Sequence, residues 1–234
     1  MNAPAQYILA LDTATEACSA ALYVQGDMTS TCQVDPRGHA RNILPMIEEL
    51  LNGAGLAIRE LNAIAFGRGP GSFTGLRIAA GITQGLAFGA GLPVIPVSTL
   101  ATLAQGSDND EVLAAIDARM HEVYWGAFRR DRDGVMQPVV DETVRPPDRV
   151  TCPGQGEWQA RGSGWKTYGE ALNNHCTGRI VQYEPDALPH AADMIPIALQ
   201  LYRQGRTVSA EQAVPIYLRD QVVQTPSKSS IPLP

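Results

Sequence analysis

Lysine is almost missing from this 234-residue chain: only Lys166 and Lys228 appear among 18 basic residues, and the rest are arginine. Base composition of the gene accounts for such a bias; arginine also suits bidentate contacts to anions. Positive charge of any kind is short, because 24 acidic residues leave a net charge of −6. No segment forms a basic arm. Residues 1–105 hold 5 basic against 7 acidic side chains, 106–190 hold 9 against 14, and 191–234 hold 4 against 3. A protein that grips nucleic acid by itself needs a cationic surface, so that class is excluded. The four cysteines (Cys18, Cys32, Cys152, Cys176) form no C-x-x-C pair, and reduced cytoplasmic thiols are expected. The four histidines (His39, His121, His175, His190) form no H-x-x-x-H pair, so no metal site is expected. A basic, apolar secretory leader is not seen at the start, and no apolar run is long enough to span a membrane. With 44% hydrophobic and 18% charged residues, the chain is not disordered as a whole.

What is present reads as two similar halves. Tyr7–Leu11 and Ala17–Val24 are apolar strand runs around the polar turn Asp12–Glu16, and a third strand is expected at Met28–Val34. In His39–Leu51 the apolar period changes to that of an amphipathic helix, ending at Asn52-Gly53, with Pro45 kinking it or marking its first turn. Leu61–Phe66 is a strand, Ser72–Gly89 a helix, Val94–Val97 a strand and Ser98–Gln105 a short helix. That order predicts a mostly parallel sheet flanked by helices and opened by an antiparallel hairpin. After the polar stretch Gly106–Asp110, the runs Val112–Ile116, Val123–Phe128 and Val135–Val139 repeat the three-strand opening. Arg145–Cys152 is a Pro-rich helix or loop, Tyr168–Asn174 a helix, Ile180–Tyr183 a strand and Ala191–Gln204 the last helix. The expected division is a first lobe at 1–105, a second at 106–221 and a mobile tail at 222–234.

The most distinctive segment is Gly67–Arg77, GRGPGSFTGLR. It lacks the lysine of a P-loop and the spacing of a G-x-G-x-x-G turn. What remains is a turn with Ser72 or Thr74 capping a helix, purely structural, touching an anion or partner, or holding a nucleotide. Behind it, Gly81, Gly85 and Gly89 share one helical stripe. Glycine inside a helix costs about 1 kcal/mol relative to alanine, so another backbone is expected close by, from the chain's own sheet or from a partner helix. Asp12 and Asp117 each end a strand at the start of a half, where carboxylates can hold a metal-bound water facing a nucleotide; turn chemistry alone also explains them. Gly162-Ser163-Gly164 is a further tight turn. No G-x-S-x-G elbow and no placed histidine support a hydrolase triad or a peptidase.

ILALDTATEACSAAL, HARNILPMIEELL, AFGRGPGSFTGLRIAAGITQGLA, IDARMHEVYWGAF and PIYLRD, in this order, resemble the TsaB (YeaZ) family from Tyr7 to about Asp220. The resemblance implies the duplicated actin-like α/β fold (sugar kinase/Hsp70) and a non-catalytic dimerisation subunit for tRNA threonylcarbamoyladenosine synthesis. It implies pairing with the catalytic subunit TsaD through the two N-terminal helices, TsaE as a third partner, a homodimer when alone, and tRNA reached only through the complex. Where TsaD carries its two metal-binding histidines, this chain has Thr99 and Leu103, neither of which replaces imidazole. The interface positions expected from helical spacing are Ile43, Leu44, Ile47, Leu51, Ile78 and Ile82. A residual nucleotide pocket would use Asp12, Thr13, Asp117, Gly162 and Gly164; no tightly bound cofactor is expected, although ATP or ADP could sit at a complex interface. The rival reading is an active actin-fold nucleotide hydrolase or kinase using Asp12 and Asp117.

Overall fold

The computed structural model describes residues 6–154, 156–176 and 180–219; the expected mobile tail at 222–234 lies outside them. In chain order the elements are β1 (Tyr7–Asp12), β2 (Ala17–Val24), β3 (Asp27–Val34), α1 (His39–Ala54), β4 (Ala63–Gly69), α2 (Phe73–Ala90), β5 (Val94–Ser98) and α3 (Thr99–Gln105). There follow β6 (Glu111–Asp117), β7 (Val123–Arg130), β8 (Met136–Pro138), β9 (Thr143–Arg145), β10 (Trp158–Arg161), α4 (Ser163–Cys176), β11 (Ile180–Glu184) and α5 (Ala191–Arg203). The first sheet runs β3-β2-β1-β4-β5, and the second runs β8-β7-β6-β10-β11, with β9 also on β7. Each sheet opens with an antiparallel hairpin and then adds two parallel strands beside its first strand. The topology is thus a duplication, although the second half carries β9 and a 3-10 turn at Pro147–Arg149 where the first carries α1.

The two lobes are tied by an exchange of helices. The last helix of each half packs on the other half's sheet: α5 lies against β1, β2, β4 and β5, and α3 against β6, β7 and β8. Ile8, Ala10, Ala65 and Ile95 of the first sheet share one core with Val112, Ala114 and Phe128 of the second, with Leu100, Leu103, Met194 and Ala198 between them. Ala191 N–H donates to Ser19 Oγ at 2.9 Å, bonding the start of α5 to β2. On their outer sides the sheets build separate cores, one under α1 and α2 and one holding Trp125, Trp158 and Trp165 under α4.

Helix ends follow local chemistry. α1 runs past Gly53 to Ala54, because Gly55 takes the left-handed conformation (φ 65°) that turns the chain off the helix. Pro45 stays within α1 on its exposed side; the bond it cannot make falls at the exposed Arg41, whose carbonyl is open to solvent rather than trapped in the core. Ser72 caps α2, accepting from Gly75 N–H at 3.4 Å, and the left-handed Gly91 ends it. Among the described residues no helix is long and apolar enough to cross a membrane.

Candidate functional site

Two features of the fold bear on function: the cleft between the lobes, and the outer face of α1 and α2. The cleft has a volume of about 1160 Å³. Its walls are the β1–β2 turn from Ala14, the glycine-rich loop Pro70–Leu76, the strand end Ile116–Arg119, the start of α4 at Ser163 and Lys166, and Ile216–Arg219.

The turn and the glycine-rich loop fit each other closely. Ser72 N–H donates to Ala14 O at 2.7 Å, and Thr13 Oγ1 donates to Gly75 O at 2.7 Å. A Cβ at residue 71 would stand 2.5 Å from Ala14 O, and one at residue 75 would collide with Thr13 O. The glycines at 71 and 75 therefore let backbone meet backbone, and the loop is filled from within the chain.

Asp12 is fully buried and does not line the cleft. Its Oδ1 accepts from Ala14 N–H at 2.9 Å, while Oδ2 has no partner and faces the bare Cα of Gly67. Burial pushes its carboxyl up to about 7, against the opposing pull of the Ala14 hydrogen bond. Thr99 Oγ1, also without a partner, stands 3.5 Å from where a Cβ of residue 67 would be. Asp117 does line the cleft, but its carboxylate accepts from Arg119 N–H at 2.8 Å and pairs with the Arg119 guanidinium at 3.1 Å.

The five residues expected to form a residual nucleotide pocket are therefore not gathered: only Asp117 faces the cleft. Thr13 is buried on Gly75. Gly162 (φ +103°) and Gly164 bring the start of α4 onto β6, where a Cβ would stand 2.5 Å from Ala115 O and 2.8 Å from Ala115 Cβ respectively. Thr99 and Leu103 are buried in the core of α3. Among the described residues no group of three or more His, Cys, Asp or Glu is placed to hold a metal ion.

The expected interface residues fall on two different sides of α1 and α2. Ile43, Ile47 and Leu51 lie in the first lobe's core at 0%, 3% and 9% exposure, because the apolar stripe of α1 faces its own sheet. Leu44 points outward at 47% exposure, while Ile78 and Ile82 are half-buried at the edge of that core. Sequence reasoning left the glycine stripe open between sheet and partner. Leu76, Ala79, Ala80, Thr83 and Ala87 face the sheet, and Gly81, Gly85 and Gly89 face out, with nothing within 4 Å of where their Cβ atoms would stand. Exposed Phe88 and Arg77 belong to the same outer face, as does Thr74. Phe88, 73% exposed, was not among the expected interface residues, although its place one residue before Gly89 could have marked it.

Comparison with known proteins identifies the family and the fold. The family model described as TsaD: tRNA N6-adenosine threonylcarbamoyltransferase matches residues 33–227. The chain is 46% identical over 222 residues to tRNA threonylcarbamoyladenosine biosynthesis protein TsaB of Escherichia coli (strain K12), covering 92% of this chain and 95% of that one. The Haemophilus influenzae protein of the same name is 43% identical over 227 residues, covering 92% and 94%. A solved structure, YeaZ from Pseudomonas aeruginosa, superposes with a TM-score of 0.86 at 47% identity, over 91% of this chain and all of that one. The two lobes are those of the duplicated actin-like fold. By whole-chain identity and by fold, the chain belongs to the TsaB family.

Proposed function

We propose that this protein serves tRNA threonylcarbamoyladenosine synthesis in the cytoplasm as a non-catalytic docking subunit. The outer face of α1 and α2 pairs with the catalytic subunit TsaD, TsaE joins as a third partner, and tRNA is met through the complex. Alone, the protein uses the same face to form a homodimer. The observation that carries this reading is the stripe Gly81, Gly85 and Gly89, open to solvent within an 18-residue helix. Each glycine costs the helix about 1 kcal/mol relative to alanine, and no contact among the described residues repays that cost. A second helix laid on the stripe can approach to backbone contact, with Leu44 and Phe88 as flanking apolar anchors.

The rival reading, a nucleotide hydrolase or kinase, has a cleft of suitable size, but its two carboxylates are not poised for the task. Asp12 faces Gly67 inside the lobe, and Asp117 is held by Arg119. Reconstitution tests the choice: TsaD and TsaE, given a threonylcarbamoyl adenylate as donor and ATP, should modify tRNA only when this chain is added, while the isolated chain gives no heat with Mg-ATP in calorimetry. Modification at full rate without the chain, or saturable heat from Mg-ATP, contradicts the proposal.

A further inference from the structure

The segment Pro215–Arg219, which the docking role does not use, crosses the mouth of the cleft. We propose that residues 214–219 are a latch that clasps the two lobes together and sets how far the cleft opens. The segment leaves the first lobe, where Ala210 and Ala213 are buried in the core beside α2 and Val208 bridges Val94 on β5. Ile216 N–H then donates to Arg68 O at 2.8 Å, beside the glycine-rich loop. Gly69 is required there, since its φ is +110° and a Cβ would stand 2.8 Å from Ile216 O. The Tyr217 ring packs on Phe73 at 5.7 Å, with the Arg77 guanidinium over Phe73 at 3.3 Å.

At its far end the segment grips the second lobe. The Arg219 guanidinium donates to Ala118 O at 3.2 Å, pairs with Glu122, and lies 3.4 Å from Met120 Sδ. The loop it grips is strained: Arg119, Met120 and His121 all have left-handed backbones, at φ 61°, 55° and 59°. Three such residues in a row, none of them glycine, persist only where surrounding bonds force them. Here the forcing bonds are Arg119 N–H to Asp117 Oδ1 at 2.8 Å, Ala118 N–H to Glu122 O at 3.0 Å, and the Arg219 clasp.

The latch holds at few points. Val214, Ile216 and Tyr217 remain 53%, 39% and 43% exposed, so little apolar burial opposes its release. Away from this segment the lobes share a continuous core through α3 and α5. That core is the hinge side and the latch the opening side. Release frees the 117–122 loop to relax and the lobes to part.

Hydrogen exchange on the full chain tests this. Arg219→Gln and Glu122→Gln should each speed exchange at least tenfold in both 117–122 and 68–77, in opposite lobes, with β1 and residues 63–67 of β4 unchanged. Arg59→Gln, at an exposed position elsewhere, should change neither segment. Faster exchange confined to 117–122 would make Arg219 a local clasp and overturn the proposal, as would no change. If the variants of the ion pair prove unfolded, Tyr217→Ala releases the other anchor: faster exchange in both segments supports the latch, and none overturns it.

Discussion

Asp12 shows how a residue can be legible in type and illegible in role. Its place after an apolar strand suggests a catalytic carboxylate, but the sequence does not reveal that the next strand would set Gly67 against its free oxygen. Buried without a second partner, it keeps its proton up to about pH 7, whereas the unfolded chain releases it near 3.8. Below pH 3.8 both states are protonated and the folded state suffers no penalty. Between 3.8 and 7 the unfolded state loses its proton first, so folding stability falls as pH rises, and the fall is complete above 7. The full loss is about 4 kcal/mol at most, at 1.36 kcal/mol per pH unit. Asp12→Asn keeps the acceptor for Ala14 N–H and cannot ionise, so denaturant melts from pH 4 to 8 should show this decline removed. An unchanged pH profile would mean that Asp12 ionises freely in the folded protein.

α2 carries two kinds of glycine, and the sequence marks them alike. Gly75 faces the first hairpin, where a Cβ would run into the carbonyl of Thr13; Gly85 faces solvent. Gly75→Ala should destabilise the protein by about 3 kcal/mol, in line with overpacking against a backbone that cannot yield. Gly85→Ala should instead stabilise an unpaired chain by up to about 1 kcal/mol through helix propensity. Thermal melts of the two variants at low protein concentration distinguish these signs. The same ambiguity explains the interface residues read from α1. Helical spacing identifies an apolar stripe, and Ile43 and Ile47 are its centre, but periodicity cannot say whether sheet or partner covers it. Their own sheet does, with about 1.5–3 kcal/mol gained per fully buried aliphatic side chain. β9 escaped the pattern because its three residues, Thr143–Arg145, are too few to show an alternation.

On the scale of the whole molecule, the repeated strand order was readable because each half opens with the same alternation of apolar runs and turns. The exchange of α3 and α5 was not, since a helix's sequence shows that it has an apolar face but not which sheet it will meet. That exchange joins the two lobes through one shared core, while the proposed docking face, the outer side of α1 and α2, lies on the first lobe alone. Gly85→Leu and Leu44→Asp should therefore disable pairing without unfolding the chain, because both positions are exposed in the monomer. Light scattering of the chain mixed with its TsaD, wild type against Gly85→Leu, tests the central claim most directly. The wild type should form a one-to-one complex and the variant should give two separate species, with the variant still folded by circular dichroism. A Gly85→Leu chain that pairs as tightly as the wild type would contradict that claim.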